Sequence, residues 1–149
     1  MQIHDSLAAL EHCRAGFPIW GRLREAITAS SSHAVGQMHS LGDAITFLRT
    51  PRRHRGDAFV AHRRYVEIVA AAGSPVLLEV APIADLVVTT PYCDLSDREL
   101  LAGAGERVRL EPGQIAVLEL QEAIRYPEEA AEAPTVLHVS VERFPAAAA

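Results

Sequence analysis

Ala58-Phe59-Val60-Ala61-His62-Arg63-Arg64-Tyr65-Val66-Glu67-Ile68 places His62, Tyr65 and Glu67 close together in a stretch otherwise fit for a buried strand. A histidine and a carboxylate facing one cavity can bind a metal or move protons. In an alternating strand Val60, His62 and Arg64 share one face, and Ala61, Arg63 and Tyr65 share the other. Glu67 joins the second face unless a bulge between Arg63 and Val66 changes the parity. Two adjacent arginines are hard to bury, so a bulge or a strand end is expected there. One histidine with one glutamate equally describes a hydrogen-bonded core or rim group, and the pair alone is weak support for a site.

Before this stretch the chain reads as helical. Leu7, Leu10 and Cys13 fall at helical spacing, with Asp5 or Ser6 to cap the start. Gly16 and Pro18 stop that helix. Trp20, Leu23 and Ile27 predict a second helix ending before Ser30–Ser32. The pair reads as a helical hairpin, roughly residues 5–30, packed on the outside of a β-barrel of roughly residues 33–144. The expected organisation is one domain over residues 1–149.

After His33 the texture is β. Strands are predicted over Ala44–Leu48, Phe59–Ala71, Val76–Val80, Ile83–Thr89, Arg107–Leu110, Ile115–Leu120 and Thr135–Val141. Turn material separates them: Gly42-Asp43, Gly56-Asp57, Gly73-Ser74-Pro75, Gly103-Ala104-Gly105 and Glu111-Pro112-Gly113-Gln114. In the last, Pro112 fixes φ at the first central position and Gly113 accepts positive φ at the second. Gly103-Ala104-Gly105 reads as a hairpin loop, not a phosphate cradle. Pro127–Pro134, with Glu128, Glu129 and Glu132, reads as an exposed loop, and a short alanine tail follows Phe144. Short strands at such intervals predict a sandwich or barrel, not alternating βα units.

The 149 residues are 49% hydrophobic and 22% charged, enough apolar material for a core without a disulfide or structural metal. A formal charge of −5 argues against nucleic acid as the main partner. Arg52, Arg53, His54 and Arg55 form a local basic run, but no aromatic residue is interleaved to stack on bases. Cys13 and Cys93 lack metal-knuckle spacing and fit a reducing cytoplasm as free thiols. Met1–Leu10 has no basic n-region, and no apolar run approaches a membrane span. A cytoplasmic location is the expectation.

Two further places carry candidate chemistry. Gly113–Pro127 runs from an apolar strand into Glu119, Glu122, Arg125 and Tyr126. Such residues rim a pocket or simply cover the surface, and Glu119 reads as surface. His138 lies amid Val136, Leu137, Val139 and Val141, so burial is expected, and a buried histidine needs partners. By alternation it shares a face with Val136 and Ser140.

The order of these pieces resembles the YhcH/YjgK/YiaL family, which includes the small subunit of the evolved β-galactosidase. The family pattern Glu-x-His-x-x-Tyr-x-Asp-Ile is similar to Val60 through Ile68. A Tyr-Asp-x-x-x-Asp stretch is similar to Tyr92 through Asp97. Gly113 through Leu118 matches the start of a later motif, Gly-x-Phe-Ala-Ile-Phe-Phe-Pro-x-Asp-x-His, and Val136 through Val139 matches the final strand. The resemblance implies a cupin-like double-stranded β-helix, a jelly-roll barrel with N-terminal helices. It implies bacterial carbohydrate metabolism, with sugar anomer interconversion or modulation of a partner glycosidase. It also implies a divalent metal on the Glu and His of the first motif and the His of the later one.

This chain departs from that ligand set. Val60 stands at the Glu position and Ile124 at the later His position, while Glu67 and Glu122 keep the charge of two family aspartates. The expectation is therefore a cupin-like protein without a metal, binding a small sugar in the barrel. Its enzymatic form is a metal-independent anomerase or isomerase. His62 and Glu67 would divide acid and base roles, and Tyr65, Glu122, Arg125 and His138 would bind substrate. The alternatives are a non-catalytic binding or regulatory subunit, and a rebuilt metal site on His62, His138, Glu67 and Glu122. A symmetric dimer is the default assembly.

Overall fold

The computed structural model describes residues 1–13, 18–51, 56–127 and 134–140. The Arg52–Arg55 run, the acidic centre of the Pro127–Pro134 loop, Gly16 and the alanine tail lie outside the described residues. Among those described, no helix is long and apolar enough to cross a membrane.

After β1 (Gln2–His4) come α1 (Leu7–Cys13) and α2 (Ile19–Ser30). The Ser6 hydroxyl accepts the Ala9 N–H at 3.1 Å, so the cap is Ser6. Arg24 on α2 pairs with Glu11 on α1. The strands follow as β2 (His39–Leu41), β3 (Ile45–Arg49), β4 (Phe59–Ala61), β5 (Tyr65–Ala70), β6 (Val76–Pro82), β7 (Val87–Cys93), β8 (Arg98–Ala102), β9 (Glu106–Leu110), β10 (Ile115–Val117), β11 (Glu122–Arg125) and β12 (Thr135–Ser140).

They form two antiparallel sheets, ordered β1-β10-β5-β12-β3-β2 and β7-β8-β4-β11-β6-β9. From β3 onward the chain changes sheet at six of nine steps: β3 to β4, β4 to β5, β5 to β6, β9 to β10, β10 to β11 and β11 to β12 all cross. The central order β3-β12-β5-β10 opposite β4-β11-β6-β9 is that of a jelly roll, the cupin-like double-stranded β-helix. The β7–β8 hairpin is an insertion that extends the second sheet beside β4.

The first sheet is covered on both faces. Leu23 and Ala26 of α2 pack with Ile45, Ile68, Leu137 and Val139 on its outer face. Val69, Leu78, Leu110, Leu118 and Ile124 fill one end of the space between the sheets. This double burial explains why Tyr65–Ala70 reads as a nearly continuous apolar run.

Several expectations change. The strand predicted over Phe59–Ala71 is two strands in different sheets, with His62–Arg64 as the crossing. Ile83–Asp85 is a 3-10 turn, and the following strand starts at Val87. Gly103-Ala104-Gly105 is not a hairpin loop, because β8 and β9 lie far apart in their sheet. A Cβ on Gly105 would sit 2.7 Å from the Phe59 ring, so the chain needs glycine to pass there. The Glu111–Gln114 turn forms as predicted, with Gln114 N–H donating to Glu111 C=O at 2.9 Å and Gly113 at φ 91°.

Candidate functional site

The crossing from β4 to β5 builds the site. Val60 faces the interior on β4, the chain changes sheet through His62–Arg64, and Glu67 then faces the same interior from β5. No bulge within a single strand is needed to reconcile the parities of His62 and Glu67. Asp97 holds the crossing. Its carboxylate accepts the N–H groups of Arg63 at 3.0 Å and Arg64 at 3.1 Å, and the Tyr92 hydroxyl at 2.8 Å. Asp97 is 2% exposed and sits at φ 50°, a left-handed conformation that aspartate tolerates better than most residues. Burial works against its charge, but these donors outweigh that and hold its carboxyl below the ordinary range.

The carbonyl of Asp97 fixes His62. His62 Nδ1 lies 2.7 Å from it, and since a carbonyl only accepts, Nδ1 carries the proton. His62 Nε2 then points at Glu67 Oε2, 3.1 Å away. In the neutral ring Nε2 would be a lone pair facing a carboxylate. A contact that short between two acceptors requires a proton or a cation between them.

His138 completes the cluster. The β5–β12 register sets it directly opposite Glu67, and its Nε2 is 3.5 Å from Glu67 Oε2. The His62 and His138 rings are 4.7 Å apart between centroids. Glu67 Oε1 accepts the Tyr126 hydroxyl at 2.6 Å. Side-chain exposures of 9% for His62, 6% for Glu67 and 14% for His138 put the cluster under cover. Burial raises the Glu67 pKa, but the two histidines outweigh it and hold the carboxyl well below its usual range. For His62 burial again opposes charge, yet Glu67 and Asp97 prevail and its pKa is raised.

The cluster lines a cavity of about 390 Å³ between the sheets, within the range of small-molecule sites. Leu48, Val60, Leu100, Ile124 and Val136 form much of its wall. Of the substrate-binding candidates, Arg125 and His138 line this cavity. Arg125 is committed to Glu79 through Nε at 2.8 Å and to the Asp57 carbonyl at 2.7 Å, and it stacks over Phe59. Tyr65 and Glu122 border a small adjoining space of about 10 Å³, together with His62 and Glu67. Tyr65 stacks near His138, with ring centroids 6.2 Å apart. Glu122 pairs with the Met1 ammonium and accepts the Glu119 N–H at 2.9 Å. Sequence reasoning gave no role to Asp97 or Arg98, and none beyond rim to Tyr126. Only the Tyr92–Asp97 motif match hinted at Asp97.

The metal set that the motif resemblance implies does not fit this chain. Val60 and Ile124, at two of its three positions, are apolar cross-strand partners in the cavity wall. A different set fits: one donor atom each from His62, Glu67 and His138 lies within 4.8 Å of the others. Donors bound at about 2.0–2.2 Å sit roughly 3–3.5 Å from one another, as His62 and His138 do from Glu67 Oε2. Two imidazoles and one carboxylate suit a divalent first-row ion with open positions. His62 and Glu67 each have an outer partner that sets their orientation, the Asp97 carbonyl and the Tyr126 hydroxyl.

No family model matches the chain. Among solved structures it is similar to hydroquinone 1,2-dioxygenase from Sphingomonas sp. TTNP3 with 4-hydroxybenzoate bound, at 16% identity over 78% of this chain and 75% of that one, with a TM-score of 0.45. On its own strand order, the chain has a cupin-like jelly-roll fold whose cavity is compatible with binding a small molecule.

Proposed function

We propose that this chain is a small-molecule-binding protein whose cavity holds a divalent metal ion on His62, Glu67 and His138. The observation that carries this reading is the placement of Glu67 Oε2 at 3.1 and 3.5 Å from two imidazole Nε2 atoms. The tautomer of His62 supports it, because Nδ1–H donates to the Asp97 carbonyl and the Nε2 lone pair is turned inward. When bound, such an ion would supply a Lewis acid for a ligand oxygen. The chain itself orients the donors, lines the facing wall with the apolar Val60 and Ile124, and holds Glu67 ionised. Metal analysis after reconstitution with Fe²⁺, Mn²⁺, Ni²⁺ or Zn²⁺ is expected to return roughly one ion per chain. No retained ion, or unchanged retention in both E67Q and H138A, overturns the reading.

A second reading uses the same atoms without metal. A proton between His62 Nε2 and Glu67 Oε2 makes an acid–base pair of the kind that opens and closes a reducing sugar. The raised His62 pKa favours it, and the motif resemblance supports a sugar as ligand. Saturation-transfer NMR on reducing sugars tests it: faster anomer exchange with chelator-treated protein, lost in H62A, would establish this reading. Exchange at the uncatalysed rate removes it.

A further inference from the structure

The cavity also carries a charge that neither reading has used. Arg98 lines it from β8. In the β4–β8 ladder Val60 pairs with Leu100 and Ala61 with Glu99, and the carbonyl of Asp97, the residue just before Arg98, accepts from His62 Nδ1 at 2.7 Å. Arg98 and Leu100 share the face that borders the cavity. Arg63, Arg64, Arg107, Arg109 and Arg125 each meet a carboxylate. Among the described residues, Arg98 meets none.

Nearby polar groups are already engaged. Tyr126 donates to Glu67, Arg125 is held by Glu79, and His62 Nδ1 by the Asp97 carbonyl. Asp57 also borders the cavity, and no ion pair joins it to Arg98. A divalent ion on two neutral imidazoles and one carboxylate would leave one further positive charge beside it. Beside Arg98 on the same sheet runs the apolar row Leu100, Val60 and Ile124.

We infer that the ligand of this cavity is a small carboxylic acid with a compact apolar body, its carboxylate on the Arg98 guanidinium at the His62 end and its body along Val60, Leu100 and Ile124. A guanidinium with free N–H groups matches a carboxylate in charge and in fork geometry. The apolar wall offers no partner for extra hydroxyls, whose burial without hydrogen bonds is unfavourable. This rests on the small-molecule role of the cavity and deepens the metal reading, but the Arg98 contact can be tested separately.

The test is calorimetric titration of the metal-reconstituted protein with cyclohexanecarboxylate and with cyclohexanecarboxamide. The acid is expected to bind at least about tenfold more tightly than the amide. R98Q should abolish that preference while leaving metal content and thermal midpoint unchanged, since Arg98 is exposed and holds no described partner. Equal affinities in the parent protein, no binding of the acid, or a preference that survives in R98Q would each overturn the inference. A preference lost in R98Q from protein that retains no ion would sustain the ligand assignment and sink only the metal.

Discussion

Two cross-strand pairs face each other across the cavity and differ in every chemical respect. On the first sheet Glu67 of β5 lies opposite His138 of β12. On the second sheet Val60 of β4 lies opposite Ile124 of β11. The polar pair is tied into a network with His62, Tyr126 and, through His62, the Asp97 backbone. The apolar pair only packs. The resemblance implies metal ligands at the Val60 and Ile124 positions, yet the polar side chains Glu67 and His138 stand on the opposite sheet. A jelly roll supplies inward positions on both walls, so either sheet can carry polar side chains without changing the fold.

The largest expected effect lies on the polar pair. Glu67→Gln removes the only carboxylate of the cluster and should lower metal affinity by at least about a hundredfold, read by competition with a chelator. A smaller loss would mean that the two imidazoles hold the ion without Glu67. On the apolar side, Ile124→Ala should cost about 2–3 kcal/mol in urea unfolding, since Ile124 is 2% exposed and the adjoining cavity permits some relaxation. Its metal content should not change. If I124A lost the ion, the two walls would not be independent.

Tyr126→Phe is a milder probe. It deletes the 2.6 Å hydrogen bond to Glu67 Oε1 and keeps the ring. Metal affinity should fall about tenfold, at the low end for an outer partner, and an unchanged value would leave that hydrogen bond without a role in holding the ion.

The smallest effect is a pH trend whose sign separates the two readings of the cluster. Without metal, His62 has a raised pKa in the fold, so its contribution is complete below the ordinary histidine value of about 6.5. That contribution is lost as pH rises through the raised folded value, while Glu67 stays ionised throughout. The thermal midpoint of chelator-treated protein should therefore fall across that window. Metal-loaded protein should show the opposite trend, because protons compete with the ion for His62. Parallel curves with and without chelator would mean that no ion acts there.

Much of the framework was legible from residue order. Asp5 or Ser6 announced the first helix, Pro112-Gly113 announced its turn, and the apolar stretch within Phe59–Ala71 announced a buried strand. Three of the residues that cluster, His62, Glu67 and His138, were already candidates. The short strands were harder. Glu122–Arg125 has charged ends and too few residues to show a period, and it becomes β11 only because β6 and β4 offer it partners. Likewise His39–Leu41 and Arg98–Ala102 are strands by pairing, not by pattern.

Residue type and local spacing by themselves determined that this chain is mainly β after a helical start, and that a histidine and a carboxylate near residue 65 could share a surface. Only the tertiary structure decided that they do. Glu67 meets His138 because β5 and β12, some 70 positions apart in the chain, pair in one register, and a slip of one residue would turn His138 to the helix side. His62 meets Glu67 because the chain changes sheets between them and Asp97 clamps the crossing. Register and sheet crossing are long-range choices, set by burial of whole faces, and no local stretch of sequence contains them.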